Sequence, residues 1–333
     1  MKLATIETIS SLRPHPNADS LDIAKILGWQ CIVKRGAFTE GQNVVFVPID
    51  TILPDAPWSA FLKKGDKPIR LGTVKLRGEY SQGLVLPLDV LPSGSRGWHV
   101  GADVGGELGI KKYEKEVPAQ LSGEVLSPFP QYLASKTDED NGLSNPELVE
   151  TVLATQSNQP LQITQKLDGS SCTIIVENGK ILHVCSRNLS LKESDSNAFW
   201  KAAKKGNFEA IPYGPAFTGI IQGELMGPGI QGNQLGLSEP TLFVFQIKAN
   251  GEWIPYVDVE YMANLFGFRC VKAIKPALTF DLILDDLQVL ADIQVLPDGK
   301  PAEGIVVRPG DCRTSGIGRP LGFKIINRNY KDL

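Results

Sequence analysis

Gln165-Lys166-Leu167-Asp168-Gly169-Ser170 is the stretch on which the reading of this chain turns. It closes an apolar-alternating run, Leu161–Gln165, that predicts a strand, and Asp-Gly predicts a tight turn directly after it. Alone, K-x-D-G is a weak sign: it arises by chance in roughly one chain in ten of this length, and a β-turn preceded by a solvated lysine accounts for it. Its companions give it weight. Ser186-Arg187-Asn188 ends a later predicted strand, and Gln222-Gly223-Glu224-Leu225 closes an apolar one before Gly227-Pro228-Gly229-Ile230-Gln231-Gly232-Asn233. Leu242-Phe243-Val244-Phe245-Gln246-Ile247 follows, then Glu303-Gly304-Ile305-Val306-Val307-Arg308, and last Gly322-Phe323-Lys324-Ile325-Ile326-Asn327.

These residue types suit one chemistry. A lysine amine attacks a phosphate only when neutral, so its ordinary pKa near 10.4 has to be lowered by burial or by a neighbouring cation. Lys166 ends an apolar strand, and Lys324 would supply the second positive charge, which also stabilises a phosphate losing pyrophosphate. Asp168 or Glu303 would hold a divalent cation or its waters. Arg187 and Glu224 would grip phosphate and ribose hydroxyls, and Phe245 would stack on a purine. Each has a plainer alternative: Phe243 and Phe245 as core, Glu224 and Glu303 as surface acids, Arg187 as a hairpin-side cation, Lys324 as a solvated strand lysine.

The ordered set resembles motifs I, Ia, III, IIIa, IV and V of the covalent nucleotidyltransferase superfamily of DNA ligases, RNA ligases and mRNA capping enzymes, over roughly residues 130–333. The resemblance implies catalytic roles for Lys166, Asp168, Glu303 and Lys324. It implies ATP contacts from Gln165, Lys166, Arg187, Glu224, Phe245 and Lys324, and Mg2+ or Mn2+ held through Asp168 and Glu303. Gln165 stands where several RNA ligases carry an acid that reads the adenine amino group, and its carbonyl can accept the same bond. One departure is plain. Many RNA ligases carry K-x-K in motif V, whereas the second position here is Ile326, leaving Arg328 or Lys331 as candidates to compensate.

The first half reads differently. Short strands are expected at Lys2–Ile9, Leu21–Ile26, Gln30–Val33, Asn43–Pro48, Ile69–Leu76 and Leu84–Leu88, which suits a small OB-like barrel. His15-Pro16-Asn17-Ala18-Asp19-Ser20-Leu21 and Lys75-Leu76-Arg77-Gly78-Glu79-Tyr80-Ser81-Gln82-Gly83-Leu84 resemble the text of EMAP-II-like tRNA-binding OB-folds. Lys136-Thr137-Asp138-Glu139, after Phe129-Pro130, looks like the fifth ATP-dependent RNA ligase family upstream of motif I. The expected fold is therefore α+β: an OB-like barrel over 1–112, a linker over 113–130, and a mixed antiparallel-sheet, ATP-grasp-like nucleotidyltransferase domain over 131–333. The chain ends nine residues after Lys324, short of the C-terminal domain that follows motif V in DNA ligases and capping enzymes. Within the second domain, a helix over Pro146–Ala154 capped by Ser144 is expected. So are strands at Cys172–Glu177 and Lys180–Ser186 joined by Asn178-Gly179, helices over 196–205 and Leu282–Leu290, and strands over 216–225, 241–248 and 304–308.

Composition sets the outer limits. The 333 residues are 42% hydrophobic and 21% charged, with 34 Lys+Arg against 37 Asp+Glu. Residues 1–115 carry 15 basic and 12 acidic side chains, a net of +3, and the remainder a net of −6. Nucleic-acid contacts are accordingly sought in the first domain, at Lys34, Arg35, Lys75 and Arg77. Five scattered cysteines and three histidines offer neither a disulfide framework nor a catalytic zinc set, and no GxSxG or G-x-G-x-x-G is present. A monomer in a reducing cytoplasm, without a membrane span or signal peptide, is expected. The expected activity is ATP-dependent sealing of 3′-OH and 5′-phosphate RNA ends, at nicks in duplexes, through lysyl-AMP. The alternatives are a ligase that seals DNA-containing strands, a capping-type guanylyltransferase, and an RNA- or tRNA-binding protein with an inactive nucleotidyltransferase half.

Overall fold

A computed structural model describes residues 2–63, 65, 67–92, 98–113, 124–209, 216–275, 281–314 and 318–330. The chain divides into two compact units, Met1–Glu116 with Gly142–Pro146, and Val117–Asn141 with Glu147–Leu333. Much of the expected 113–130 connector, residues 114–123, lies outside the described residues.

The first unit is built of short antiparallel strands. Asn43–Pro48, buried along almost its whole length, runs between Thr5–Thr8 and Gly83–Leu86. Ser11–Pro14, Leu21–Ile26 and Trp29–Lys34 form a meander whose last strand buries Trp29, Cys31 and Val33 on one face, the period-2 pattern of a half-buried strand. Thr51–Leu53 pairs with Ile69–Arg70 and Lys111–Lys112. Ala4, Ile6, Val45, Val47, Leu53 and Val104 fill the core between them.

Two readings of the sequence are corrected here. Ile69–Leu76 is not one strand: Ile69–Arg70 stays with Thr51–Leu53, and after Gly72 the chain leaves to make a separate hairpin, Val74–Leu76 with Glu79–Ser81. The last strand of this unit stops at Leu86, because Pro87 has no N–H to donate, and Leu88–Val90 turns as a 3-10 helix.

The second unit holds two sheets. The larger runs Val125–Pro128, Leu189–Leu191, Lys180–Cys185, Ser170–Glu177, Gly219–Met226, Thr241–Ala249, Glu252–Trp253, with Arg269–Cys270 parallel to Thr241–Ala249. The smaller runs Asp140–Asn141, Phe323–Ile326, Gly304–Arg308, Gln162–Lys166. Asn178 and Gly179 both have positive φ, 49° and 78°, as a two-residue hairpin with right-handed strand twist requires.

Each sheet has one apolar face covered by helices. Cys172, Ile174, Ile221 and Val244 pack on Phe199, Trp200 and Phe266 from the Ala198–Ala203 and Tyr256–Phe266 helices. Ile163, Ile305, Val307, Phe323 and Ile325 pack on Val149, Val152, Leu287 and Ala291 from Pro146–Leu153 and Leu284–Asp292. Strand alternation then places Glu224, Gln222 and Phe243 on the opposite face of the first sheet, and Lys166, Val306, Arg308 and Lys324 on that of the second. The pairing slips by one residue at Gln222/Gly223, so that Phe245 is the extra residue of a β-bulge. The Pro146–Leu153 helix is not capped by Ser144: that residue closes a separate 3-10 turn, and its Oγ accepts from Trp29 Nε1 at 3.2 Å. Among the described residues no helix is long and apolar enough to cross a membrane, and the five cysteines are free.

Candidate active site

Lys166 is the last residue of its strand, and register fixes its neighbour. Lys166 pairs with Gly304, which puts Glu303 beside it, and Lys166 Nζ lies 2.6 Å from Glu303 Oε1. The chain then turns through Leu167, buried among Met226 and Val271, and returns at Gly169. Gly169 N–H donates to Glu224 Oε1 at 3.0 Å. A Cβ at Gly169 would stand 2.5 Å from the Leu225 carbonyl oxygen and also collide with the Met226 sulfur, so only glycine lets the turn approach so closely. Lys166, Glu224, Glu303 and Asp168 thus gather at one end of the space between the two sheets.

The electrostatics of this group overturn one expectation. Burial pulls the Lys166 ammonium down, but Glu303, Glu224 and Asp168 together outweigh it, and the net shift is upward. In this state the amine is held as an ammonium, because the surrounding carboxylates favour its charged form more than desolvation disfavours it. Burial, followed by the charge of Glu303, lifts Glu224 to about 8 against the opposing pull of Lys166. Glu303 is raised by burial as well, offset by Lys166 and in smaller part by Lys324.

The carboxylates differ in their partners. Glu303 Oε2 is buried with no hydrogen-bond partner, an acceptor position that suits a cation or its water. Asp168 Oδ2 accepts from the Tyr330 hydroxyl and, at 3.3 Å, from Gln234 Nε2. Burial and the Asp168 carboxylate push the Tyr330 phenol up, which keeps it a donor. Among the described residues no three acidic, histidine or cysteine side chains converge to cage an ion. An all-oxygen set of two carboxylates fits Mg2+ or Mn2+, which take few protein ligands and share the rest with water and substrate phosphates.

The other sequence-selected residues fall at varied places. Lys324 pairs with Val306 on the far side of the Gly304–Arg308 strand from Lys166, on the same face of the smaller sheet. Phe245 joins the cluster of Leu167, Met226 and Val271, with the Arg308 guanidinium 5.6 Å from its ring centroid. The Gln165 side chain lies on the other face of the strand from Lys166, its Nε2 donating to the Val295 carbonyl at 3.2 Å. Arg187 pairs with Asp138 at 2.7 Å and is half exposed. Ile326 pairs with Gly304, and Arg328 is tied to Asp292 rather than to the lysine; Lys331 lies outside the described residues.

In the first unit Lys34 is exposed, while Arg35 is spent on Asp22 at 3.1 Å and on the Leu21 carbonyl. Lys75 stands 4.8 Å over the Tyr80 ring, and Arg77 sits at the exposed hairpin tip, its carbonyl accepting from Asn17 Nδ2 at 2.9 Å. Sequence reasoning missed three groups. Tyr330 and Gln234 reach the site across long separations that leave no local pattern. The buried Glu139–Arg308 pair was within reach, because alternation from Gly304 through Val306 puts Arg308 on the site-facing side.

A lysine among carboxylates between two largely antiparallel sheets, with a small β-barrel earlier in the chain, is the kind of site at which a ligase can act on phosphate. An OB-fold domain profile matches residues 3–88, and the RNA ligase family profile matches residues 159–324. The chain carries an RNA ligase domain over residues 159–324. It is similar over 98% of its length to the solved Naegleria gruberi RNA ligase with PPi, at 29% identity, TM-score 0.80 and 97% coverage of that chain. A variant of that ligase with AMP and Mn matches at 28% identity and TM-score 0.81, and another with ATP and Mn at 29% and 0.81, each again covering 98% of this chain and 97% of the other. Comparison with the curated proteins finds no match.

Proposed function

We propose that this chain joins RNA ends with ATP as its energy source, through an AMP carried on Lys166. The observation that carries the reading is the Lys166–Glu303 contact of 2.6 Å, with Glu224 and Asp168 beside it. The solved Naegleria gruberi ligase has been captured with PPi, with AMP and Mn, and with ATP and Mn, the product and reactants of such a step. Its variants include substitutions at a lysine and at an aspartate two positions further on, the spacing of Lys166 and Asp168.

Lys166 first loses its ammonium proton, for which Glu303 Oε1 is the nearest acceptor. The neutral nitrogen attacks the α-phosphorus of ATP; an N–P bond forms, the bond to the β-phosphate oxygen breaks, and pyrophosphate leaves. Asp168 and Glu303 would hold a divalent cation, which on binding supplies positive charge against the phosphate and relieves the hold of the carboxylates on the lysine. Lys324, on the same face of the smaller sheet, would supply a second cation. The 5′-phosphate of an RNA end then takes AMP from the nitrogen, and Lys166 recovers its proton. A 3′-OH finally attacks that 5′-phosphorus and expels AMP, at a nick in a duplex.

Phe245 and Arg308 would bound the base. Lys34, Lys75 and Arg77 would contact the RNA backbone from the barrel, with Arg35 contributing less because Asp22 holds it. The barrel, connector and catalytic domain are assigned to 1–112, 113–130 and 131–333, with the enzyme acting as a cytoplasmic monomer. The test is incubation with α-32P-labelled ATP and Mg2+ followed by a denaturing gel. Wild type should carry acid-labile, alkali-stable label, and Lys166→Ala should carry none; equal labelling of the two would overturn the assignment.

A further inference from the structure

The residues that follow the Phe323–Ile326 strand are fastened one after another. Asn327 N–H donates to the Glu303 carbonyl at 2.9 Å and Asn327 Nδ2 to the Gln294 carbonyl at 3.2 Å. The Arg328 backbone N–H and Nε donate to the Asp292 carboxylate at 2.8 and 2.7 Å, and Asn329 N–H to Asn327 Oδ1 at 2.9 Å. This loop has one delivery. It carries the Tyr330 hydroxyl to Asp168 Oδ2, where it donates. Gln234, from the turn after the glycine-rich segment, donates its Nε2 to Tyr330 Oη at 3.0 Å and to the same Asp168 oxygen at 3.3 Å. Three segments distant in sequence therefore meet at one carboxylate oxygen, two residues from the lysine.

We propose that Tyr330, backed by Gln234, is a positioning residue for adenylylation: it fixes the plane of the Asp168 carboxylate beside Lys166. The proposal rests on the reading of Lys166 as the nucleophile. An aspartate on a turn has two soft torsions, and a donor on a rigid loop removes that freedom where a solvent molecule would not. Position 326, where a second lysine was sought, holds an isoleucine, and Arg328 is committed to Asp292. What this segment brings to the nucleophile's turn is a hydroxyl.

The test is a double-mutant cycle over Tyr330→Phe and Asp168→Ala, read in two ways. Single-turnover self-labelling with α-32P-labelled ATP, followed from seconds to a day, should be about tenfold slower in Tyr330→Phe, the effect of one hydrogen bond to a charged group. It should be no slower still when Tyr330→Phe is added to Asp168→Ala, which leaves the phenol no acceptor. Urea unfolding of the same four proteins should show the matching non-additivity. Wild-type labelling by Tyr330→Phe, or an equal slowing in both backgrounds, would overturn the proposal. If Asp168→Ala labels too slowly to time, additive unfolding midpoints overturn it. Lys166→Ala run alongside separates the two ideas: label on that variant removes the nucleophile assignment, while the unfolding cycle still reads the Tyr330–Asp168 hydrogen bond.

Discussion

At neutral pH the folded protein keeps a proton on Glu224 that the unfolded chain has released. Burial, then Glu303, raises this carboxyl from 4.5 to about 8. Between those two values the native state binds more protons than the unfolded state, so stability falls as pH rises across the window and levels off above it. Replacing Glu224 with Gln removes the group, and the unfolding free energy of the variant relative to wild type should climb steadily from pH 5 to pH 8. Urea unfolding at three pH values reads this; parallel curves would refute it. A second residue-scale outcome concerns Glu139, whose carboxylate pairs with an Arg308 side chain only 6% exposed. Arg308 Nε and Nη1 already lack partners, so Glu139→Ala strands a buried cation and should cost about 3–5 kcal/mol, read as a lowered urea midpoint. Residue types alone pointed to Lys166, Glu224 and Glu303. The charge state of Lys166 was not legible, because it depends on how many carboxylates converge there, and no spacing in the sequence displays that.

Elements set how closely these groups approach. The turn at Gly169 presses against the strand that carries Glu224, and a Gly169→Ala side chain has nowhere to go. We expect self-labelling by that variant to fall by tenfold or more, as a displacement of about 1 Å does elsewhere in catalysis, with far-UV circular dichroism unchanged. In the first unit the Val74–Ser81 hairpin is pinned at its tip by Asn17 and by the His15 ring, whose Nε2 meets the Leu76 carbonyl at 3.1 Å. Lys75 and Arg77 are therefore presented on a rigid support. Replacing both with Ala should weaken RNA binding and reduce the slope of log affinity against log salt by about 0.7–0.9 for each phosphate no longer neutralised. An unchanged slope would move the RNA surface elsewhere. Strands such as Leu21–Ile26, Asn43–Pro48 and Gly304–Arg308 were readable from alternation or apolar runs between turn residues. The break after Arg70 was not, since Gly72 marks a bend without saying which sheet the next strand joins. Tyr256–Phe266 went unread as a helix because its apolar residues are spread around it, with Val257 and Tyr261 exposed.

For the molecule as a whole, the proposed function divides two tasks between the two units. A protein lacking residues 1–116 should keep part of its self-labelling, since Lys166, Glu224, Glu303 and Asp168 all belong to the other unit, and should lose the sealing of a nicked RNA duplex. The Gly142–Pro146 stretch clusters with the removed unit, so some loss of stability is expected as well. Normal sealing by the truncated protein would show that the barrel does not hold the RNA. The smaller sheet has a further consequence. Its strand order places Gln162–Lys166 at an edge whose hydrogen-bonded neighbour in the sheet is Gly304–Arg308, and that strand in turn leans on Phe323–Ile326. During synthesis at ~5–20 residues per second, the Lys166 strand waits roughly 7 to 30 seconds for the neighbour that brings Glu303. On the proposed mechanism, a chain truncated between those two strands would bear the lysine but could not take AMP onto it, and every molecule that does so has been translated past its distant carboxylate.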